Sequence, residues 1–159
     1  MGRETVVMFR GTANAKDLGE DWQQLFGEGK ARQYEEAAAL LRAVRETVDG
    51  PIVVSGHSLG GGQAQYALAM NVDLGDIRGV GFNPAGLSTT TFSAIEERLG
   101  GGTLATAGVF ASVRLDNDPV STVGIFLGRM IWVASNGVRG MPAVHSITTL
   151  AREMERNAA

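Results

Sequence analysis

Five short runs of apolar, largely β-branched residues recur along the chain, separated by longer stretches whose apolar residues fall at helical spacing. The first run covers residues 4–9 and ends at Arg10-Gly11-Thr12. Polar, glycine-punctuated sequence from Ala13 to Lys30 then carries Leu18, Trp22, Leu25 and Phe26 at helical spacing. From Arg32 to Val48 the pattern predicts an amphipathic helix. Tyr34, Ala37, Ala38, Leu41, Val44 and Val48 share one face, and Glu35, Glu36, Arg42, Arg45 and Glu46 lie mostly off it. Asp49-Gly50-Pro51 stops that helix, and Ile52-Val-Val-Ser55 reads as the second strand. A helix-forming segment runs from Leu59 to about Met70, and Ile77–Phe82 is the third strand. Thr91–Leu99 is a short helix, Val109–Leu115 a fourth strand broken by Asp116-Asn-Asp-Pro119, Met130–Ala134 a fifth, and Ser146–Asn157 a closing helix.

Strands that alternate with helices and are almost continuously apolar indicate a parallel sheet covered on both faces. The predicted architecture is therefore a three-layer α/β sandwich around a mostly parallel sheet of about five strands, with residues 1–159 forming one domain. The chain opens directly on a core strand, as a domain cut from a longer protein would. Missing outer strands would leave a sheet edge for a flanking domain or a second copy to cover.

Composition narrows the function classes. A net charge of −3 and 19% charged residues give no electrostatic footprint for nucleic acid. No apolar run is long enough to span a bilayer; the longest, Val120 to Ala134, is interrupted by Arg129. No secretory leader is read at the start, where Met1-Gly-Arg-Glu leads straight into the first strand. With no cysteine, thiolate catalysis and cysteine zinc sites are excluded. With only His57 and His145, a multi-histidine metal site is not expected, and no cofactor is expected either.

The chemistry centres on Gly56-His57-Ser58-Leu59-Gly60. A serine between glycines, entered from a strand and left by a helix, is the arrangement that lifts a hydroxyl above a sheet on a sharp turn. The bare pattern is weak; its strand–helix context strengthens it. A serine hydroxyl needs a neighbouring base to take its proton. His57 sits next to Ser58, so its side chain should diverge from the hydroxyl, and it reads as a structural flank. That leaves His145, between the last strand and the last helix. The imidazole in turn needs a carboxylate. Asp118, just past the fourth strand and fixed by Pro119, is preferred, with Asp116 as rival and turn capping as the alternative role for both. The chain order Ser58, Asp118, His145 is that of α/β-hydrolases. For the oxyanion, the backbone N–H of Leu59 is one expected donor. Thr12, beside the permissive Gly11, is the other.

These residues, together with Phe9-Arg10-Gly11-Thr12, Asp21-Trp22, Val54 to Gly61, Phe82-Asn83-Pro84, Asn117-Asp118-Pro119-Val120 and His145-Ser146, resemble the class 3 lipases, the fungal-lipase-like branch of the α/β-hydrolases. The resemblance implies Ser58, Asp118 and His145 as catalytic residues, Thr12 and Leu59 as oxyanion hole, and cofactor-free hydrolysis of acylglycerol or phospholipid esters. It also implies a lipid or phospholipid substrate presented at a membrane or micelle surface. The third-strand motif departs from the family's usual Phe-Gly-x-Pro-Arg, which points to a divergent, phospholipase-like member. Trp22 and Phe26 are candidates for a lid or for the buried stripe of a surface helix. Phe126 is a candidate for an acyl groove or for the core, and Asn83 is counted with them as a substrate contact. Thioester cleavage or acyl transfer on the same machinery is a competing reading, as is a non-catalytic lipid- or protein-binding module.

Overall fold

A computed structural model describes residues 3–11, 31–101 and 108–158. Five strands, β1 (Thr5–Phe9), β2 (Ile52–His57), β3 (Ile77–Phe82), β4 (Phe110–Leu115) and β5 (Arg129–Val133), form one sheet in the order β1-β2-β3-β4-β5. Every pairing is parallel. Four helices accompany them: α1 (Ala31–Thr47), α2 (Leu59–Met70), α3 (Thr89–Leu99) and α4 (Ile147–Ala158). The periodicity located all nine elements to within about two residues. The offset at α3, which begins at Thr89, arises because the Ser88 side chain accepts the Thr91 N–H at 3.1 Å and caps it.

Strand order that follows chain order, with crossovers of one hand, stacks α1, α2 and α3 on the same face of the sheet. Side-chain alternation then sorts each strand. Phe9, Ile52, Val54, Ile77 and Phe110 point to that face and pack with Ala37, Leu41, Ala64, Ala67 and Leu68. Val113, Leu115 and Val133 point to the other face and pack with Leu150 of α4. The expected cover on both faces does not extend to β1 among the described residues: Val6 and Met8, on the α4 side, are 58% and 71% exposed. Among the described residues, α4 is the helix on that side, and it packs on β5, at the opposite edge of the sheet from β1.

The parallel arrangement gathers the C-terminal ends of all five strands, and the loops leaving them, at one rim. That rim receives Gly11, Ser58, Asn83, Asp116, Asp118 and, through the segment between β5 and α4, His145.

Helix α4 is tied down through Glu153, whose buried carboxylate accepts from Asn136 Nδ2 at 2.9 Å, Arg156 NH1 at 3.1 Å and Arg152 Nε at 3.3 Å. The Asn136 hydrogen bond, with the two arginines, holds its pKa below the ordinary 4.5 against the opposing effect of burial. A carboxyl depressed in the folded state contributes stability above its unfolded pKa and loses that contribution as pH falls through the folded value. Thermal midpoints followed from pH 7 to pH 3 are therefore expected to fall below about pH 4.5. Glu153→Gln is expected to melt lower at pH 7 and to show a shallower acid decline. An unchanged pH profile in that variant would remove Glu153 from the account.

Candidate active site

Ser58 stands where β2 turns into α2, with φ 57° and ψ −125°, a backbone conformation that non-glycine residues rarely adopt. The tight turn exists because its flanks lack side chains. A Cβ on Gly56 would run into the Gly60 backbone, and a Cβ on Gly60 would run into the main chain at Phe9. The main chain of Ser58 is held from the end of β3 and the turn that follows it: its N–H donates to Phe82 O at 3.2 Å and its C=O accepts from Ala85 N at 2.9 Å. Strain at this serine is thus maintained by packing on both sides.

The hydroxyl meets the imidazole predicted from sequence. Ser58 Oγ lies 2.7 Å from His145 Nε2, and His145 Nδ1 lies 2.8 Å from Asp118 Oδ2. All three side chains are buried, Asp118 completely. An ionised carboxylate only accepts, so the Nδ1 proton of His145 points to Asp118 and Nε2 is left to accept the Ser58 O–H. The other carboxylate oxygen, Oδ1, accepts the Val120 N–H at 3.1 Å, which fixes the carboxylate plane. Asp116, the rival, is exposed and accepts the Ser135 N–H at 3.2 Å; it takes the turn-capping role and lies outside the row.

Leu59 is the first residue of α2, so its N–H has no acceptor within the helix and points out of the helix start beside Ser58. Gly11 reaches the same place: a Cβ built on it would touch the His57 carbonyl and come within 3.5 Å of Ser58 Cβ. Thr12, which follows it, lies outside the described residues, as do Trp22 and Phe26.

One expectation is corrected. Asn83, counted as a substrate contact, is fully buried and spends its amide on the fold: Nδ2 donates to Val144 O at 3.2 Å and Oδ1 accepts from Leu115 N at 2.9 Å. Both polar atoms of its side chain are thus buried and engaged within the fold. His57, read as a structural flank, takes a structural role: it donates from Nε2 to the main-chain oxygen of His145 at 2.7 Å, its ring 4.9 Å from that of His145. Burial, and then the neighbouring His145, lower its pKa below the ordinary value.

Phe126 is half-buried and lays its ring 4.2 Å from the guanidinium carbon of Arg114, with Trp132 at the same distance. Arg114 is 3% exposed, and among the described residues its Nε and NH1 have no hydrogen-bond partner. Burial lowers its pKa, opposed by the charge of Asp118. The two π faces therefore take over part of the solvation that water would supply. Nothing in the sequence pattern marked this arginine, because a charge on a central strand reads as solvent-facing.

Among the described residues no three His, Cys, Asp or Glu side chains gather closely enough to hold a metal ion. No described helix is long and apolar enough to cross a membrane.

Fold and site together have the form of an α/β-hydrolase-like domain with a serine turn at the sheet rim. The chain belongs to the phospholipase-like family: a model described as Tle-like phospholipase domain matches residues 1–158. The family supports lipid-ester hydrolysis as the class of activity. A search of curated proteins finds no match to this chain.

Proposed function

We propose that the protein is a serine hydrolase that cleaves carboxylic esters of lipids, of lipase or phospholipase A type, through an acyl-enzyme. The single observation that carries this reading is the unbroken row Ser58 Oγ–His145 Nε2 and His145 Nδ1–Asp118 Oδ2, at 2.7 and 2.8 Å. In the first half-reaction His145 Nε2 takes the Ser58 proton as Oγ bonds to the ester carbonyl carbon. Asp118 stabilises the imidazolium, and the leaving alkoxide departs with the proton that His145 returns. In the second half, water replaces the alcohol: His145 takes its proton as the water oxygen bonds to the acyl carbon, the acyl–Oγ bond breaks, and His145 returns the proton to Ser58 Oγ with release of a fatty acid.

The N–H groups of Leu59 and Thr12 are the proposed donors to the oxyanion. Trp22, Phe26 and Phe126 are the proposed apolar contacts for the acyl chain. Within the broader family, the likeness to class 3 lipases carries the same assignment of roles. Residues 1–159 are taken to form a single catalytic domain.

The test is direct. The protein incubated with mixed phospholipid and diacylglycerol vesicles is expected to release fatty acid, and a fluorophosphonate probe is expected to label Ser58. Acyl transfer to added alcohol in preference to water would redirect the reading to an acyltransferase. Vesicle binding with neither fatty-acid release nor labelling would overturn it in favour of a binding module.

A further inference from the structure

The base of the proposed triad sits on a segment with little structure of its own. Residues 140–146 make only local turns, Val144 N to Gly140 O and Ser146 N to Ala143 O, both at 3.2 Å, and pair with no strand. Yet the imidazole must be held between two partners at hydrogen-bond distance. What holds its main chain comes from the sheet. His57 is the last residue of β2, and strand alternation turns it away from α1–α3 toward the α4 side, where this segment passes. There its Nε2–H takes the carbonyl of His145 itself at 2.7 Å. A carbonyl only accepts, so this bond also sets the His57 tautomer.

Asn83 follows β3 with φ 40°, a left-handed conformation that asparagine tolerates better than other side-chain-bearing residues. Its amide spans two segments, donating to Val144 O and accepting from Leu115 N, the last residue of β4 and three before Asp118. One side chain thus joins the segment that carries the base to the strand end that carries its carboxylate. The same turn, Phe82 to Ala85, also grips the main chain of Ser58.

We propose that Asn83 and His57 are positioning residues, which clamp the carbonyls of Val144 and His145 and so fix the imidazole between Ser58 and Asp118. The inference rests on the hydrolase reading above. Neither side chain reaches a reacting atom, so the clamp acts through geometry alone. Displacement of a reacting group by about 1 Å is enough to cost on the order of 100-fold in rate.

The test uses three variants of the whole chain. Asn83→Gly keeps the left-handed backbone and deletes the bridge. His57→Phe keeps a flat ring and deletes the donor, whereas His57→Gln restores an N–H at a similar reach. For each, kcat and KM on p-nitrophenyl butyrate, the rate of fluorophosphonate labelling and the thermal midpoint are measured. Asn83→Gly and His57→Phe are expected to lower kcat and the labelling rate together by about 10- to 100-fold, with KM within about twofold. His57→Gln is expected to recover most of the loss. The proposal is overturned if folded Asn83→Gly and His57→Phe turn over at the parent rate, or if His57→Gln is no better than His57→Phe. Ser58→Ala in the same assay separates the two levels. If it stays active, the hydrolase reading itself fails; if it is inactive while the clamp variants match the parent, only the clamp fails.

Discussion

Ser58→Ala is expected to lower kcat for ester hydrolysis by roughly 10⁵- to 10⁶-fold and to abolish fluorophosphonate labelling, while the protein stays folded. The size follows from the role. Without Oγ no acyl-enzyme forms, and only binding and oxyanion stabilisation remain to act on water. The fold should tolerate the change because the Ser58 turn is held by main-chain bonds to Phe82 and Ala85 and by the absence of side chains at Gly56 and Gly60. Its hydroxyl contributes one hydrogen bond, to His145 Nε2. Leaving that buried acceptor unpaired costs about 1–3 kcal/mol, a modest drop in thermal midpoint. Turnover near the parent level in this variant would move the chemistry elsewhere.

Asp118→Asn is expected to lower kcat by about 10⁴-fold, and the reason is a tautomer. The carboxylate accepts from Val120 N through Oδ1 and from His145 Nδ1 through Oδ2. An asparagine that keeps its carbonyl on Val120 N must turn its NH₂ toward Nδ1. The imidazole then carries its proton on Nε2, facing Ser58, and cannot take a second one from it. Asp116→Asn is the internal control. Its Oδ1 contact to Ser135 N survives as an amide carbonyl, and the residue is exposed, so its kcat is expected within about twofold of the parent. Steady-state kinetics on one soluble ester checks both variants, and a larger loss at position 116 than at 118 would reverse the assignment.

Much of this site was legible before any coordinates. Gly56-His57-Ser58-Leu59-Gly60 between a β-branched run and a helical one marks the turn, because glycine flanks and local periodicity are properties of neighbouring residues. His145 emerged by elimination, with only two histidines in the chain. Proline after Asp118 made it the better carboxylate, although burial is what separates it from Asp116, and burial depends on what packs above. Asn83 looked like a ligand contact and His57 like a structural flank with no visible partner, since their partners, Val144 and His145, lie 61 and 88 residues further on. A strand's alternation gives the side of the sheet to which His57 points, but not what passes there.

The sequence alone determined which segments become strands and helices, their order, and the serine and histidine proposed to act together, with two candidate carboxylates. Those follow from short-range pattern, from residue chemistry and from a family likeness spread along the chain. Tertiary structure decided which carboxylate meets the imidazole, that Arg114 is buried against Phe126 and Trp132, and that His57 and Asn83 hold the base by its main chain. Such contacts join segments that only the assembled sheet brings to one rim, and their worth depends on distances of a few tenths of an ångström that no linear pattern encodes.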